Sequence, residues 1–438
     1  MGAPEEGELG VLLDGRDPRS GEVLVGTARR AGGNVAFDLT FAAPKSVSVL
    51  KAVGDEAVRS AVLGAHGAGV AAGLDYLERH ACFVCRGRNG VTALPAEGFV
   101  GAVYVHPMAR SGDPHLHAHL VIANRVKGPD GRWSAPDMRP VHAEAKTAGT
   151  IADAVMRQEL SRSLGVEWGP VTNRIAELVA VPTEVREHFS TRHAEIMDEA
   201  RTRGYTGRSS LALIQLETRD RKRVIARDTA VAAWRTRSAE HGFGEHELAR
   251  ALGQVRAITA ADYTARLRAN ATHMLGPEGL TRQSSTFTRR EVIQQLAEAH
   301  PEGAPVGHLE RLADDFLART CVALPRAGGD TDRGYRETLY TTPEMLRTDV
   351  RLLDAAIGRD PNGPVDRRGR RLARHAPQLG SPRCPAGAPS GAPGRNSSGK
   401  TRTCNPPVNS SPSAQSGGEP TRRLKARMPH EDWDVGIQ

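Results

Sequence analysis

Residues 106–125 read HPMARSGDPHLHAHLVIANR and bring four histidines, His106, His115, His117 and His119, within fourteen positions of one another. Neutral imidazoles are strong ligands for divalent ions of the first transition row, so metal chemistry is the first expectation. The run HLVIAN is apolar and β-branched. Residues two apart in such a strand share a face, so His117 and His119 present their rings side by side. His106 supplies a third ligand if PMARSGDPHL folds back as a hairpin and lays the preceding run FVGAVYVH against it. Three neutral imidazoles leave an ion its full charge and open positions, which suits polarising a phosphate or a water. Strict alternation puts His115 on the same face, and spacing alone does not choose three ligands out of four. A lone histidine is usually an ordinary core or surface residue, but HxHxH with a fourth histidine upstream is a pattern that chance seldom makes.

These histidines need a sheet to hold them. Strand-like runs over 37–41, 80–86, 100–106 and 117–124 alternate with helical stretches such as 57–78 and 144–164. That is an α+β pattern, with antiparallel strands covered by helices on one face. Residues 182–252 are charged and helical, and RDRKRVIARDTAVAAWRTRSAEHG reads as exposed helices, either a solvated face or the lining of a cleft. After Asp360 the chain turns to Pro, Ser, Gly and Arg, with few residues that could build a core, so a disordered tail is expected over 361–438. Within it GRNSSGKT, residues 394–401, fits the phosphate-loop pattern GxxxxGK[ST]. No strand leads into it, and Pro406 and Pro407 would break the helix that must follow, so no nucleotide is expected there.

The charge balance is misleading at first sight. Of 59 basic and 51 acidic residues in the 438, 13 and 5 lie after Asp360, so the net charge of +8 belongs entirely to the tail. The high isoelectric point is therefore no argument for a basic groove in the folded part. Five cysteines, no secretory apolar segment and no apolar run near eighteen residues point to a cytoplasmic protein with no membrane partner. Cys82 and Cys85 form a CxxC in an apolar, strand-like run where they face opposite ways, and no second pair stands at zinc-ribbon spacing. They read as ordinary strand cysteines.

A second stretch, GGNVAFDLTFAAPKSVSVLKAVG, precedes the histidine cluster by about sixty residues. Together the two resemble the signature of the large conjugative relaxases of the MobF class, which join a relaxase to a helicase. The resemblance runs from LLDGRDPRSGEVL through YLERHACFVCRGRNG and GDPHLHAHLVIANRVKGPDGRWSAPD to ELSRSLGVEWGPV. It continues more weakly through FTRREVIQQLAEAHPEGAPVGHLERLADDFLA and YTTPEMLRTDVRLLDAA, so that roughly 360 residues are covered.

The resemblance implies a palm-like, HUH-type antiparallel sheet with flanking helices and a helical extension. It divides the chain into a relaxase domain over 1–275, a segment over 276–360 similar to the start of the helicase region, and the basic tail. It places the metal triad on His106, His117 and His119, with His115 where relatives usually carry glutamine. Asp38, in the FDLTF motif, becomes the catalytic carboxylate beside the metal, orienting a ligand histidine. Lys45, in APKS, and Arg110, in the hairpin loop, become candidate DNA contacts, although a solvated lysine after a strand is an equal reading. The implied cofactor is a divalent metal ion, with magnesium or manganese expected and zinc or nickel as alternatives. The implied partners are single-stranded DNA at a plasmid transfer origin and other conjugation proteins. The implied reaction is a transesterification in which a tyrosine attacks the scissile phosphate, leaving a 5′-phosphotyrosyl link and a free 3′-hydroxyl.

One departure bears on activity. The family's attacking tyrosines precede the segment matched by LLDGRDP, and here no tyrosine precedes Tyr76. The expectation is a relaxase domain without its N-terminal tyrosine strand, which keeps the metal site and does not cleave. Whether the chain is an enzyme is thus left open, with two alternatives: a non-enzymatic remnant that binds metal and single-stranded DNA, or a metal-dependent phosphodiesterase that uses water.

Overall fold

A computed structural model describes residues 8–16, 20–23, 34–205, 207–218, 226–254, 258–325 and 337–358. The tail after Asp360 and its phosphate-loop-like GRNSSGKT lie outside the described residues. The architecture is α+β, as the residue pattern predicts. Helix α1 (Glu8–Leu13) precedes strand β1 (Ala36–Ala42), and helices α2 (Lys45–Val53) and α3 (Glu56–Ala81) follow. Next come β2 (Phe83–Arg86), β3 (Thr92–Pro95), β4 (Gly101–Met108), β5 (Pro114–Ala123), the short β6 (Val126–Lys127) and β7 (Trp133–Ser134), and the long α4 (Met138–Leu164). A helical stretch comprises α5 (Thr183–His188), α6 (Thr191–Thr202), α7 (Arg208–Glu217), α8 (Arg227–Glu240) and α9 (Glu245–Ala251). The chain continues through α10 (Ala260–Leu275), α11 (Arg289–Glu298), α12 (Val306–Thr320), β8 (Val322–Ala323), β9 (Tyr340–Thr341) and α13 (Pro343–Gly358). The described residues through Arg347 form one compact unit, and the rest of α13 belongs to a second. No helix among the described residues is long and apolar enough to cross a membrane.

The central sheet has the order β1-β5-β4, antiparallel throughout. Its middle strand shows why one face is apolar and the other chemical. Leu116, Ala118, Leu120 and Ile122 are buried, while His115, His117, His119 and Val121 alternate with them at intermediate exposure. Leu116 joins one core with Val47, Leu50 and Met156, while Ala118, Leu120 and Ile122 pack on α3 and α4 in another that also takes in Phe41, Leu74, Ala148 and Ile151. Two glycines let the helices approach: a Cβ at Gly69 would lie 2.4 Å from the Ala152 carbonyl oxygen, and one at Gly73 would lie 2.8 Å from the Phe41 ring. Val292, Ile293, Leu309 and Phe316 of α11 and α12 belong to this same core, so packing is continuous across the proposed boundary at 275/276.

Local signals explain the helix ends. Asp55 accepts a hydrogen bond from the Val58 amide and caps α3, and Asp137 accepts from the Arg139 amide and caps α4. Helix α4 starts six residues before the expected Glu144, because Pro140 falls in its first turn, where the missing amide is no loss. It ends on Gly165 in the left-handed region at φ 63°. His80, expected in a strand, closes α3 instead, and the strand begins at Phe83. Nothing before Cys82 in LERHAC breaks a helix, so the apolar run is shared between the two elements.

Candidate metal centre

Strands β4 and β5 place His106 opposite His117 and Tyr104 opposite His119. One ligand nitrogen from each of His106, His117 and His119 can be chosen so that all three lie within 4.8 Å of one another. The ring centroids form a nearly equilateral triangle, at 5.2, 5.2 and 5.1 Å. The rings are half-buried on the outward face of the sheet, open enough for an ion and a further ligand.

Hydrogen bonds prepare two of the rings as donors. His119 Nδ1 donates to Asp38, with the carboxylate oxygens at 2.9 and 2.8 Å, and Thr40 Oγ1 stands 3.3 Å from the same nitrogen. His117 Nδ1 donates to the His115 carbonyl at 2.8 Å. In both rings the proton is held on Nδ1, which leaves the Nε2 lone pair for a metal. Burial holds His117 below the usual histidine range and the neighbouring His119 adds to this, against the His115 carbonyl and Asp38. The neutral imidazole, the form that ligates, is thereby favoured.

His115 stacks on His117 at 4.7 Å with the planes 28° apart and stays outside the triad. Burial pushes its pKa down to about 4, assisted by His117, Lys45 and His66. The ladder explains its placement. His106 pairs with His117 but Met108 pairs with Pro114, so β5 carries one extra residue between these rungs. Such a bulge re-aims the side chains beside it.

The candidate DNA contacts fall differently. Lys45, at the start of α2, donates from Nζ to the Pro114 carbonyl at 2.8 Å and so ties α2 to the first residue of β5. Burial lowers its pKa, against Asp113 and Glu177. Arg110 is exposed on the hairpin loop. Sequence reading passed over Thr40, although it stands two residues from Asp38 and alternation puts both on one face. It also passed over the clamp on the hairpin tip, where Trp234 Nε1 donates to the Gly112 carbonyl at 2.9 Å and buried Asp113 accepts from the Thr191 amide at 3.1 Å. No local pattern carries those contacts, because 122 and 78 residues separate the partners.

Two measurements test this arrangement. Asp38→Asn should weaken metal binding by roughly 10–100-fold, the usual cost of losing an outer hydrogen-bond partner of a ligand histidine, with the fold retained. Calorimetric titration decides, and unchanged affinity would remove Asp38 from the site. The second concerns His66 of α3, which is 3% exposed and whose Nε2 has no hydrogen-bond partner among the described residues. Burial, then His117 and Lys51, push its pKa down to about 4. The unfolded chain takes up this proton near pH 6.5 and the folded chain only near 4. The stability contributed by the neutral ring is therefore complete above about 6.5, drains as the pH falls to about 4 and changes no further below, a span of ~3 kcal/mol. Asp153 and Glu337, carboxyls pushed up to about 7 by burial, act in the opposite direction. The comparison of parent with His66→Phe in denaturant unfolding between pH 7 and pH 4 isolates the histidine. A pH dependence as steep in the variant as in the parent would count against it.

Comparison with known proteins gives a consistent family. A family model described as TrwC relaxase matches residues 1–241. The Multifunctional conjugation protein TraI of Escherichia coli is 25% identical over 370 residues, which cover 81% of this chain and 18% of that protein. The protein of the same name from strain K12 is 26% identical over 370 residues, with the same coverage. The chain thus spans about a fifth of the length of the curated relatives it matches. Among solved structures, the copper-bound conjugative relaxase TrwC in complex with oriT DNA superposes with a TM-score of 0.51 at 24% identity, over 55% of this chain and 83% of that one, a likeness of fold.

Proposed function

Since this chain belongs to the TrwC relaxase family, with more than half of its length matched by the family model, we propose that it acts in the cytoplasm on single-stranded DNA at a plasmid transfer origin, alongside other conjugation proteins. Its site is of the metal-dependent kind that serves nicking and strand transfer, and in these residues it binds the strand without cleaving it. The observation that carries this reading is the convergence of His106, His117 and His119 on the open face of the sheet, with Asp38 bonded to His119.

The donor set fits a divalent ion: three half-buried imidazoles, two of them with Nδ1 already committed. By simple affinity such a set prefers manganese, zinc or nickel to magnesium. Bound there, the ion supplies electrostatic stabilisation to the negative charge that builds on a scissile phosphate. The protein's own part is positional. Asp38 holds the His119 ring and its tautomer, the His115 carbonyl does the same for His117, and the β4–β5 ladder keeps His106 opposite His117. Arg110, exposed in the turn between β4 and β5, is a candidate phosphate contact. Lys45 serves DNA only indirectly, by fixing the start of the strand that bears the ligands.

The test is an electrophoretic shift with a labelled single strand carrying a transfer-origin sequence, set against a scrambled strand and the duplex, with and without manganese. Selective retention of the transfer-origin strand is expected. Equal binding of all three would refute a role in origin recognition.

A further inference from the structure

Away from the sheet, α10, α12 and the turn after α11 bring a tyrosine and two histidines to one point. Tyr263 Oη lies 2.9 Å from Nε2 of His300 and 2.5 Å from Nε2 of His308. The two imidazoles stand edge to face, with centroids 5.7 Å apart. His300 is buried, and its Nδ1 donates to the Leu296 carbonyl at 2.7 Å. That bond leaves the Nε2 lone pair directed at the phenol, the same device that readies His117 in the first centre.

We propose that Tyr263, His300 and His308 form a second metal site, which takes one copper(II) or zinc(II) ion on two imidazole nitrogens and a phenolate oxygen. Three features support it. The donors come from three separate elements, so their meeting is a product of the tertiary fold and not of helical spacing. Two imidazoles with one anionic oxygen match the ligand preference of copper and zinc and not that of magnesium or calcium. Glu302 pairs with Arg266, whose guanidinium lies 5.5 Å from the Tyr263 ring centroid, so a positive charge stands by to favour the phenolate.

Without an ion the three groups satisfy one another: the Tyr263 hydroxyl donates to His300 Nε2 and accepts from Nε2–H of His308. Burial raises the phenol's pKa, although Arg266 opposes this, so the proton stays until an ion displaces it. On binding, the phenol O–H bond breaks, a metal–oxygen bond forms and the proton leaves to solvent. His308 gives up its Nε2 proton and takes one from solvent at Nδ1, a change of tautomer with no net release, so one proton in all leaves, that of the phenol. Donors at about 2.0–2.1 Å from a tetrahedral ion sit about 3.3 Å apart, so the cluster opens by roughly half an ångström or a little more. Small adjustments of α10 against α12 are enough.

The experiment titrates the full chain with copper(II), following heat and visible absorption, in the His117→Ala background that removes the first centre. His117→Ala should still take up about one ion, release a proton and develop a phenolate-to-copper charge-transfer band. Tyr263→Phe added to it should lose the band. His308→Ala, at a half-exposed position, should weaken uptake by more than the ~100-fold that losing an outer partner costs, with the circular dichroism unchanged. The proposal is overturned if His117→Ala takes up no ion, if His308→Ala leaves the affinity as it was, or if the band survives Tyr263→Phe.

Discussion

His117→Ala is expected to abolish metal binding at the sheet. His117 lies opposite His106 across the ladder and two residues from His119 on its own strand, and its ring is within 5.2 Å of both. Removing it leaves two imidazoles of the triad, because His115, which stacks on His117, is not among the ligands that group together. The loss should exceed the ~10–100-fold that removing an outer partner costs. His115→Ala should cost much less, because its contribution to His117 is a backbone carbonyl that alanine also supplies. Calorimetry with manganese, which the Tyr263 cluster does not favour, reads both variants. Equal affinity for His117→Ala and the parent would show that the triad is wrongly assigned, and a loss in His115→Ala as large as that in His117→Ala would make His115 a ligand.

The second large effect concerns covalent chemistry. These 438 residues, incubated with labelled transfer-origin strand and manganese, should bind DNA and yield no covalent 5′-adduct. The tyrosines decide this. Tyr76 is buried in α3 and donates to Glu144, Tyr263 is held between two histidines, and Tyr340 pairs with Phe287 in β9. Tyr205 is exposed after α6, and Tyr335 lies outside the described residues. Tyr104 faces His119, but it is fixed in the β4–β5 ladder on the same rung. A bound ion accelerates attack only by a nucleophile held in line with the scissile bond, and such positioning is worth effective molarities on the order of 10⁵–10⁸ M. A denaturing gel of the parent and Tyr104→Phe settles the matter. A stable adduct from the parent that vanishes in Tyr104→Phe would make Tyr104 the nucleophile, and one that persists would assign the role to another tyrosine of the chain. Either result defeats the prediction.

Much of this site is legible in the sequence, for a physical reason. A strand has a period of two, so HLHAHLVI alone separates a histidine face from a Leu/Ala/Leu/Ile face, and the structure buries the second set. The hairpin between His106 and His117 is likewise local, and so are the caps at Asp55, Asp137 and Gly165. The FDLTF motif marks Asp38 only through the resemblance it carries, and the antiparallel pairing of β1 with β5 brings its carboxylate to His119.

What local periodicity does not encode is which of four histidines converge. That depends on the bulge between the His106 and Met108 rungs, and a bulge is a property of two strands in register and not of either one. Lys45 shows the same limit. Read alone it is a free cation beside a phosphate site; in the fold its ammonium is committed to the Pro114 carbonyl, 69 residues along the chain. Thr40 against His119, Trp234 against the hairpin tip and Tyr263 between His300 and His308 are all contacts across long separations. The sequence by itself determined the strand faces and the ligand types, because these follow from short-range geometry and donor chemistry. The tertiary structure alone decided the long-range contacts that hold the site, Thr40 on His119, Lys45 on the start of β5 and Trp234 on the hairpin tip, because burial leaves polar atoms to find partners among whatever distant elements the core has drawn together.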